Sequence, residues 1–163
     1  MNQITDRLWL GDITDSTDEK AINENRIEAI LSLLEPSQED YFLKGVKWEN
    51  IERVRIPLAD GVPDQDGLIR RAIDVLNDWQ DKGYNTLVHC AAGISRSATI
   101  TIAIIMKRMK LSWDEAEQYV KEHRPIINPA AQLKISALRV LGEWPYDGSL
   151  GKPNNSNTPL ASE

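Results

Sequence analysis

The feature that most constrains this chain is the nine-residue segment 89–97, which reads HCAAGISRS. An apolar, β-prone run, 86–88, precedes it, and a mostly apolar, helix-like run, 98–106, follows it. The pattern therefore predicts a buried strand, a short loop and a buried helix. Backbone N–H groups in such a loop, together with the positive end of the helix dipole, form a binding site for an anion.

Two side chains give this anion site its chemistry, and five residues separate them: Cys90 and Arg96. The planar guanidinium of Arg96 matches two oxygens of a phosphate group. A thiol beside a helix N-terminus and a cation ionises more readily than a free thiol, and its thiolate is a nucleophile. Cys90 is therefore the candidate nucleophile, and the hydroxyl of Ser97 can donate a hydrogen bond to its sulfur.

The loop itself supplies the predicted phosphate contacts. A loop that wraps an anion needs a residue that accepts positive φ, and Gly93 meets that need. The predicted phosphate-binding residues share this loop and the first helical turn: Ala91, Ala92, Gly93, Ile94, Ser95 and Arg96.

Length and cysteine count limit the domain organisation and the metal chemistry. The 163 residues suffice for one domain, which we place at 1–146. Residues 147–163 are rich in Gly, Pro, Asn and Ser, which predicts a disordered tail. A single Cys excludes an internal disulfide and a cysteine zinc site, and there are only two His. We therefore expect no metal and no cofactor.

Charge and hydropathy limit the partners. The formal net charge is −6, which argues against nucleic acid and against anionic membrane surfaces. The longest apolar run, 100–106, is far too short to span a bilayer, and no secretory signal pattern opens the chain. A lone thiol fits a reducing compartment. These features predict a soluble, cytoplasmic protein, which we expect to be a monomer.

Hydrophobic periodicity predicts an α/β fold with a central, mostly parallel sheet and helices on both faces. The predicted strands are 4–10, 27–34, 51–58 and 86–88, and the longer predicted helices are 68–80, 97–110, 113–123 and 129–141.

Local signals add further expectations. Ser16 with Glu19, and Ser112 with Glu115, have the spacing of helix capping boxes. Segment 35–50 is polar and contains Pro and Gly, which predicts a loop with a helical turn. We expect the aromatic residues of this segment to pack it onto the body of the protein: Tyr41, Phe42 and Trp48.

A second loop, 59–67, offers candidates for a general acid: Asp60, Asp64 and Asp66. The leaving oxygen of a phosphate ester must be protonated, and a carboxylic acid on a loop can supply that proton. Asp66 has a simpler explanation as a cap of the following helix.

The segment from His89 to Thr99, HCAAGISRSAT, resembles the signature of the cysteine-dependent protein phosphatases. Within that group it is most similar to the dual-specificity phosphatases, including the MAP-kinase-phosphatase type. The order of predicted elements is similar to the family over residues 4–141. The family places its general acid about thirty residues before the cysteine, which favours Asp60.

The resemblance implies a metal-independent protein phosphatase. It would hydrolyse phosphotyrosine and phosphoserine or phosphothreonine through a cysteinyl-phosphate intermediate. Phosphoinositide phosphatases of the superfamily tend to carry Lys within the loop, where this chain has Ala91, Ala92 and Ile94. A phosphoprotein-binding pseudoenzyme and a rhodanese-like sulfur transferase are the alternatives from other classes, and an RNA 5′-triphosphatase lacks a basic track.

Three further residues have open roles. His89 adjoins the nucleophile, but neighbours on a strand face opposite sides, so we expect it to order the loop. Many relatives carry an Asn and aromatic residues after an Arg-Pro turn, whereas this chain reads NPAAQL at 128–133. The sequence leaves open whether Asn128 caps the last helix, and whether Asn128 or Gln132 positions the hydrolytic water.

Overall fold

A computed structural model describes residues 1–145, which form a five-stranded sheet flanked by helices. The sheet order is β1-β2-β5-β3-β4; β1 is antiparallel to β2, and the other pairs are parallel. The predicted α/β fold is therefore confirmed. The strands are β1 Asn2–Thr5, β2 Leu8–Gly11, β3 Ala29–Ser32, β4 Glu52–Arg55 and β5 Thr86–His89. The helices are α1 Glu19–Glu24, α2 Pro36–Phe42, α3 Asp66–Asp81, α4 Arg96–Met109, α5 Trp113–His123 and α6 Ala131–Val140.

The two faces of the sheet carry cores of different size, because side chains alternate along each strand. Leu10, Leu31 and Val88 lie side by side in register and belong to the large core that also contains residues of α3 to α6. On the other face, Leu87 and its neighbours form a smaller cluster with Ile22 and Ile27. Strand β5 is thus buried on both faces.

The register aligns the carboxyl ends of the parallel strands. His89 at the end of β5 lies opposite Gly11 of β2 on one side and Ser32 of β3 on the other. The loops that follow these strands therefore start at the same level, at the edge where α/β sheets bind ligands.

Three local expectations need correction or refinement. Segment 4–10 belongs to an antiparallel hairpin of β1 and β2 rather than to one strand. The capping box at Ser16 is wrong, because Asp18 caps α1 and accepts a hydrogen bond from the Ala21 N–H at 3.0 Å. The hydroxyl of Ser16 instead donates to the carbonyl of Ile13. Ser112 is the N-cap of α5, as predicted, and accepts from the Glu115 N–H at 3.2 Å, but the Glu115 side chain accepts from the Ser112 hydroxyl rather than from its backbone N–H.

Segment 35–50 contains a helix of seven residues, α2, where we expected a loop with a helical turn. Trp48 packs as predicted: its indole N–H donates to the Ser16 carbonyl at 2.9 Å. The prediction for Tyr41 and Phe42 is wrong, since they are 80% and 57% exposed. Their rings contact each other edge to face, with centroids 4.8 Å apart.

Within residues 1–145, no helix is long and apolar enough to cross a membrane. The predicted tail, 147–163, lies outside the described residues.

Candidate active site

The carbonyl groups of the loop after β5 are held by the surrounding protein. The Ala91 carbonyl accepts from the Ile13 N–H at 3.1 Å, and the Ile94 carbonyl accepts from the Asn128 N–H at 2.8 Å. The Ser95 carbonyl accepts from the N–H of Thr99, inside α4, at 2.8 Å. Segments before α1, before α6 and within α4 thus fix three sides of the loop.

A single buried side chain, Arg124, holds the middle of the loop. Its Nε donates to the Gly93 carbonyl at 2.8 Å, and its Nη2 lies 3.4 Å from the Ala92 carbonyl. Its Nη1 donates to the side-chain oxygen of Asn2 at 2.6 Å. We call residues 90–96 the phosphate loop. Arg124 directly follows α5, so this residue joins the phosphate loop to β1 and to the end of that helix.

Because a trans peptide directs its carbonyl and its N–H to opposite sides, the N–H groups of residues 91–96 face the interior of the loop. Within the described chain, none of these N–H groups donates a hydrogen bond to another protein group. A loop with this polarity can bind an anion.

Gly93 makes this conformation possible. Its φ is +65°, in the region that favours glycine. A Cβ atom here would lie 2.5 Å from Nη2 of Arg124 and 2.6 Å from the carbonyl oxygen of Gly11. The position therefore requires glycine for its backbone angle and for the close approach of its neighbours.

Cys90 lies at the base of this loop and is 3% exposed. Its Sγ is 3.2 Å from Oγ of Ser97, in the first turn of α4. The first turn of α4 and the Ser97 hydroxyl therefore both lie next to the sulfur.

Arg96 is anchored on one side of its guanidinium. Its Nη1 donates to the carbonyls of Leu33 at 3.4 Å and Leu58 at 3.1 Å, just beyond β3 and β4. It also donates to Oε1 of Gln38, in α2, at 2.9 Å. All three of these hydrogen bonds use Nη1, and no acceptor for Nε or Nη2 is found among residues 1–145, which leaves that side of the guanidinium available for an anion.

The contact of Gln38 with Arg96 is not evident from the sequence. The residue is part of a capping box: the Glu35 N–H donates to Oε1 of Gln38 at 3.2 Å. The Pro36 start of α2 and the glutamine two residues later were the available signals. No local pattern shows that the same oxygen reaches an arginine 58 positions away.

The three candidate acids lie in two different environments. Oδ1 of Asp60 accepts a hydrogen bond from Oγ of Ser95, in the phosphate loop, at 2.6 Å. Asp64 and Asp66 instead accept from Nη2 of Arg139, on α6, at 3.1 Å and 2.9 Å. The structure thus brings Asp60 to the phosphate loop and holds the other two carboxylates at α6.

The Asp60 loop is closed by Gln65, a second residue whose contacts are not evident from the sequence. The Ala59 N–H donates to Oε1 of Gln65 at 2.9 Å. Nε2 of Gln65 donates to the carbonyls of Ala59 and Val62, both at 2.8 Å. One side-chain amide therefore fixes the turn that carries Asp60.

His89 is fully buried, and its ring contacts the backbone of the next residue. Nδ1 lies 3.2 Å from the Cys90 carbonyl, which can only accept, so the proton is on Nδ1. Burial lowers the pKa of His89 to about 4, which makes the ring neutral near pH 7. This geometry fits the predicted role in ordering the loop.

The residues after Arg124 contribute through their backbone. The N-cap of α6 is Ala130, so the suggestion that Asn128 caps this helix is wrong. The Asn128 N–H bonds the phosphate loop, as described above, and the Ala130 N–H donates to Oγ of Ser95 at 3.0 Å. Gln132 is exposed in the first turn of α6.

In the described part of the chain, no cluster of three or more His, Cys, Asp and Glu side chains could hold a metal ion.

The similarity of this chain to known proteins agrees with the geometry of the site. Residues 8–140 match the sequence model of the dual specificity phosphatase catalytic domain. Human dual specificity protein phosphatase 22 is 33% identical over 131 residues, which cover 79% of this chain and 67% of that protein. The tyrosine-protein phosphatase vhp-1 of Caenorhabditis elegans is 35% identical over 127 residues, 77% of this chain but only 19% of that protein.

A solved structure shows the same architecture. The crystal structure of DUSP15 superposes with a TM-score of 0.72 at 28% identity, covering 87% of this chain and 86% of that one. With the family model matched over most of its length, this chain belongs to the dual specificity phosphatase catalytic domain family.

Proposed function

We propose that this protein is a metal-independent phosphatase that hydrolyses phosphotyrosine and phosphoserine or phosphothreonine monoesters in proteins, with residues 1–146 as its catalytic domain. The observation that carries the proposal is the convergence of Cys90, Arg96 and Asp60 on one anion-binding loop. Family membership supports the same reaction class.

Phosphate binding is the first step. The N–H groups of residues 91–96 surround the three non-bridging oxygens, and Nε and Nη2 of Arg96 donate to two of them. The contacts of Nη1 with Leu33, Leu58 and Gln38 hold the guanidinium in place beforehand. Preorganised donors of this kind stabilise the charge that develops in the transition state.

Phosphoryl transfer follows. The thiolate of Cys90 attacks phosphorus opposite the leaving oxygen, so that an S–P bond forms while the ester P–O bond breaks. Asp60, in its protonated form, gives its proton to the departing oxygen. The hydrogen bond from Ser95 to Asp60 holds this carboxyl group at the mouth of the loop.

Hydrolysis of the cysteinyl-phosphate completes the cycle. Asp60, now a carboxylate, accepts a proton from water as the water attacks phosphorus. The S–P bond breaks, inorganic phosphate is released, and the thiolate accepts a hydrogen bond from the Ser97 hydroxyl, 3.2 Å away. Both steps use the same acid–base residue in opposite directions.

The loop composition supports protein substrates over phosphoinositides. Ala91, Ala92 and Ile94 provide no cation for a second phosphate group. We also propose that the protein acts as a cytoplasmic monomer, as expected from its lone thiol and its composition.

The test is the hydrolysis of p-nitrophenyl phosphate in excess chelator, from about pH 4 to about pH 9. We expect turnover in the wild type, loss of turnover in Cys90→Ser, and loss of the alkaline limb of the pH profile in Asp60→Asn. Asp64→Asn is the matched control, because its carboxylate pairs with Arg139 rather than with the phosphate loop.

Two outcomes would overturn the proposal. Undiminished turnover in Cys90→Ser would exclude the covalent route. A folded wild type that binds phosphopeptides but hydrolyses neither them nor the small ester would be a binding module instead.

A further inference from the structure

Three aliphatic side chains are exposed on loops around the candidate active site: Val62, Ile94 and Ile126. Their exposed fractions are 46%, 37% and 57%. We call these three residues the apolar rim. Single exposed apolar residues are ordinary on a protein surface, but a cluster of them can mark a binding surface.

Hydrogen bonds already described place the three residues near one another. Ile94 is part of the phosphate loop, and its carbonyl accepts from the Asn128 N–H at 2.8 Å. Ile126 lies two positions before Asn128. Because two residues span at most about 7 Å, Ile126 stays close to the loop.

The position of Val62 is set by the loop that carries Asp60, residues 59–67, which we call the acid loop. It lies two positions after Asp60, whose carboxylate is 2.6 Å from Oγ of Ser95. Gln65 holds the Val62 carbonyl at 2.8 Å and so keeps this turn folded back. Val62 and Ile126 therefore lie on two segments that contact the phosphate loop, and Ile94 lies on that loop itself.

The exposure of the rim is selective. Ile127, directly beside Ile126, is 2% exposed and belongs to the core, whereas Ile126 faces solvent. The remaining large hydrophobic residues found exposed in residues 1–145 are Tyr41, Phe42, Met109 and Trp144, none of which is on these three segments.

Charge near the rim disfavours an acidic ligand beyond the phosphate itself. The two arginines of the site, Arg96 and Arg124, are 6% and 7% exposed and contact the loop from within the protein. The exposed charged groups on the rim segments are the carboxylates Asp60 and Asp64. An apolar side chain gains contacts there, whereas an acidic side chain finds no free cation on these segments, since Asp64 already pairs with Arg139.

We propose that the apolar rim binds aliphatic or aromatic side chains that flank the phosphorylated residue, so that the preferred substrate is a phosphoprotein segment with apolar rather than acidic neighbours. The inference rests on the proposed function, because the phosphate loop would hold the phosphorylated residue beside the rim residues. It adds a sequence preference that neither Cys90 nor Arg96 can provide.

The test compares three synthetic phosphopeptides that share one phosphorylated residue and differ in its two neighbours, which are Leu, Ala or Glu. We expect kcat/KM to fall in that order, with Leu about tenfold above Ala, as burial of two partly covered side chains would give. In Val62→Ser and Ile126→Ser, this ratio should fall about threefold to fivefold each. Turnover of p-nitrophenyl phosphate, which has no neighbours, should stay unchanged.

Met109→Ser is the matched control. Met109 is 43% exposed at the far end of α4, so its replacement should leave the ratio unaltered. Equal use of the three peptides, a preference for Glu, or an equal effect of Met109→Ser would overturn the inference, even with full activity on the small ester. Preferred hydrolysis of phosphoinositide vesicles over all three peptides would also overturn it. Absence of turnover on the small ester would overturn the proposed function and this inference together.

Discussion

The phosphate loop and the acid loop lie side by side, but the protein holds them by different means. Backbone N–H groups, buried Arg124 and the His89 ring fix the carbonyls of residues 90–95. The exposed acid loop is held mainly by side chains, those of Gln65, Arg139 and Ser95. The difference fits the roles proposed above: anion stabilisation needs fixed donors, whereas an acid must reach leaving groups of various shapes.

The largest expected effect is that of Gly93→Ala. A Cβ atom would lie 2.6 Å from the Gly11 carbonyl oxygen and require a strained φ of +65°. The loop must shift, so we expect kcat/KM to fall by about 100-fold or more and the free energy of unfolding to fall by about 2–4 kcal/mol. Steady-state kinetics and urea denaturation measure these changes.

Gly61→Ala is the matched control in the acid loop. Its φ is +68°, but no atom lies within 4 Å of the added Cβ. We expect the free energy of unfolding to fall by about 1–2 kcal/mol from backbone strain alone, and kcat to fall much less than in Gly93→Ala. If both variants lost activity equally, the distinction between a rigid and an adaptable loop would fail.

The next effect concerns Arg124. Replacement by Gln leaves the carbonyls of Ala92 and Gly93 without their buried donor. We expect inhibition by inorganic phosphate to weaken about tenfold or more, and stability to fall by about 1–3 kcal/mol. Inhibition constants and thermal unfolding test this.

Arg108→Gln controls for the loss of a positive charge. Arg108 pairs with Asp81 on the surface, so the change should have little effect on either measurement. Unchanged phosphate inhibition in Arg124→Gln would show that the loop keeps its shape without this side chain.

Because His89 is buried in the folded protein, the free energy of unfolding should depend on pH. Its pKa is about 4 in the folded protein because of burial, against 6.5 for the unfolded chain, so the unfolded state binds more protons as the pH falls. Stability is therefore lost as the pH falls from 6.5 towards 4, by about 2 kcal/mol between pH 7 and pH 5. His89→Asn keeps a donor for the Cys90 carbonyl and should remove this part of the pH dependence.

Urea unfolding at about pH 7 and about pH 5 measures this loss of stability. The exposed His123, changed to Asn, is the control and should leave the wild-type pH dependence in place. A parallel pH dependence in wild type and His89→Asn would contradict the buried, neutral ring.

The phosphate loop could be predicted from the sequence because its pattern lies within a few adjacent residues. An anion-binding turn between a strand and a helix needs a few adjacent residues, and these residues, Cys90 to Ser97, carry both the conformation and the chemistry. The periodic helices α3, α4 and α5 were likewise predicted within one or two residues, because each shows its apolar face within its own segment.

The side-chain contacts that could not be predicted from the sequence join residues far apart in the chain. Gln38, Arg124 and Arg139 act on groups that lie 31 to 75 positions away, and a side chain's partner at that distance depends on the packed fold. The Ser16 capping box failed for a local reason: Asp18, two residues later, is an equally good cap and starts α1. Strong local patterns still compete with each other.

The smallest expected effect belongs to the acid loop and concerns Arg139. Its guanidinium bonds both Asp64 and Asp66, on either side of Gln65. Arg139→Gln should loosen this loop without altering the phosphate loop. We expect kcat to fall by about twofold to fivefold for esters with poor leaving groups, such as phenyl phosphate, and to stay unchanged for good leaving groups that need little protonation.

A series of aryl phosphates measures this dependence on the leaving group. The wild type should show a shallow slope of log kcat against leaving-group pKa, Asp60→Asn a steep one, and Arg139→Gln an intermediate one. Moderate salt should move the wild type towards the variant, because the ion pairs are at the surface and are screened. A uniform loss across the series would mean that Arg139 supports the whole site, and the two loops would then not be independent.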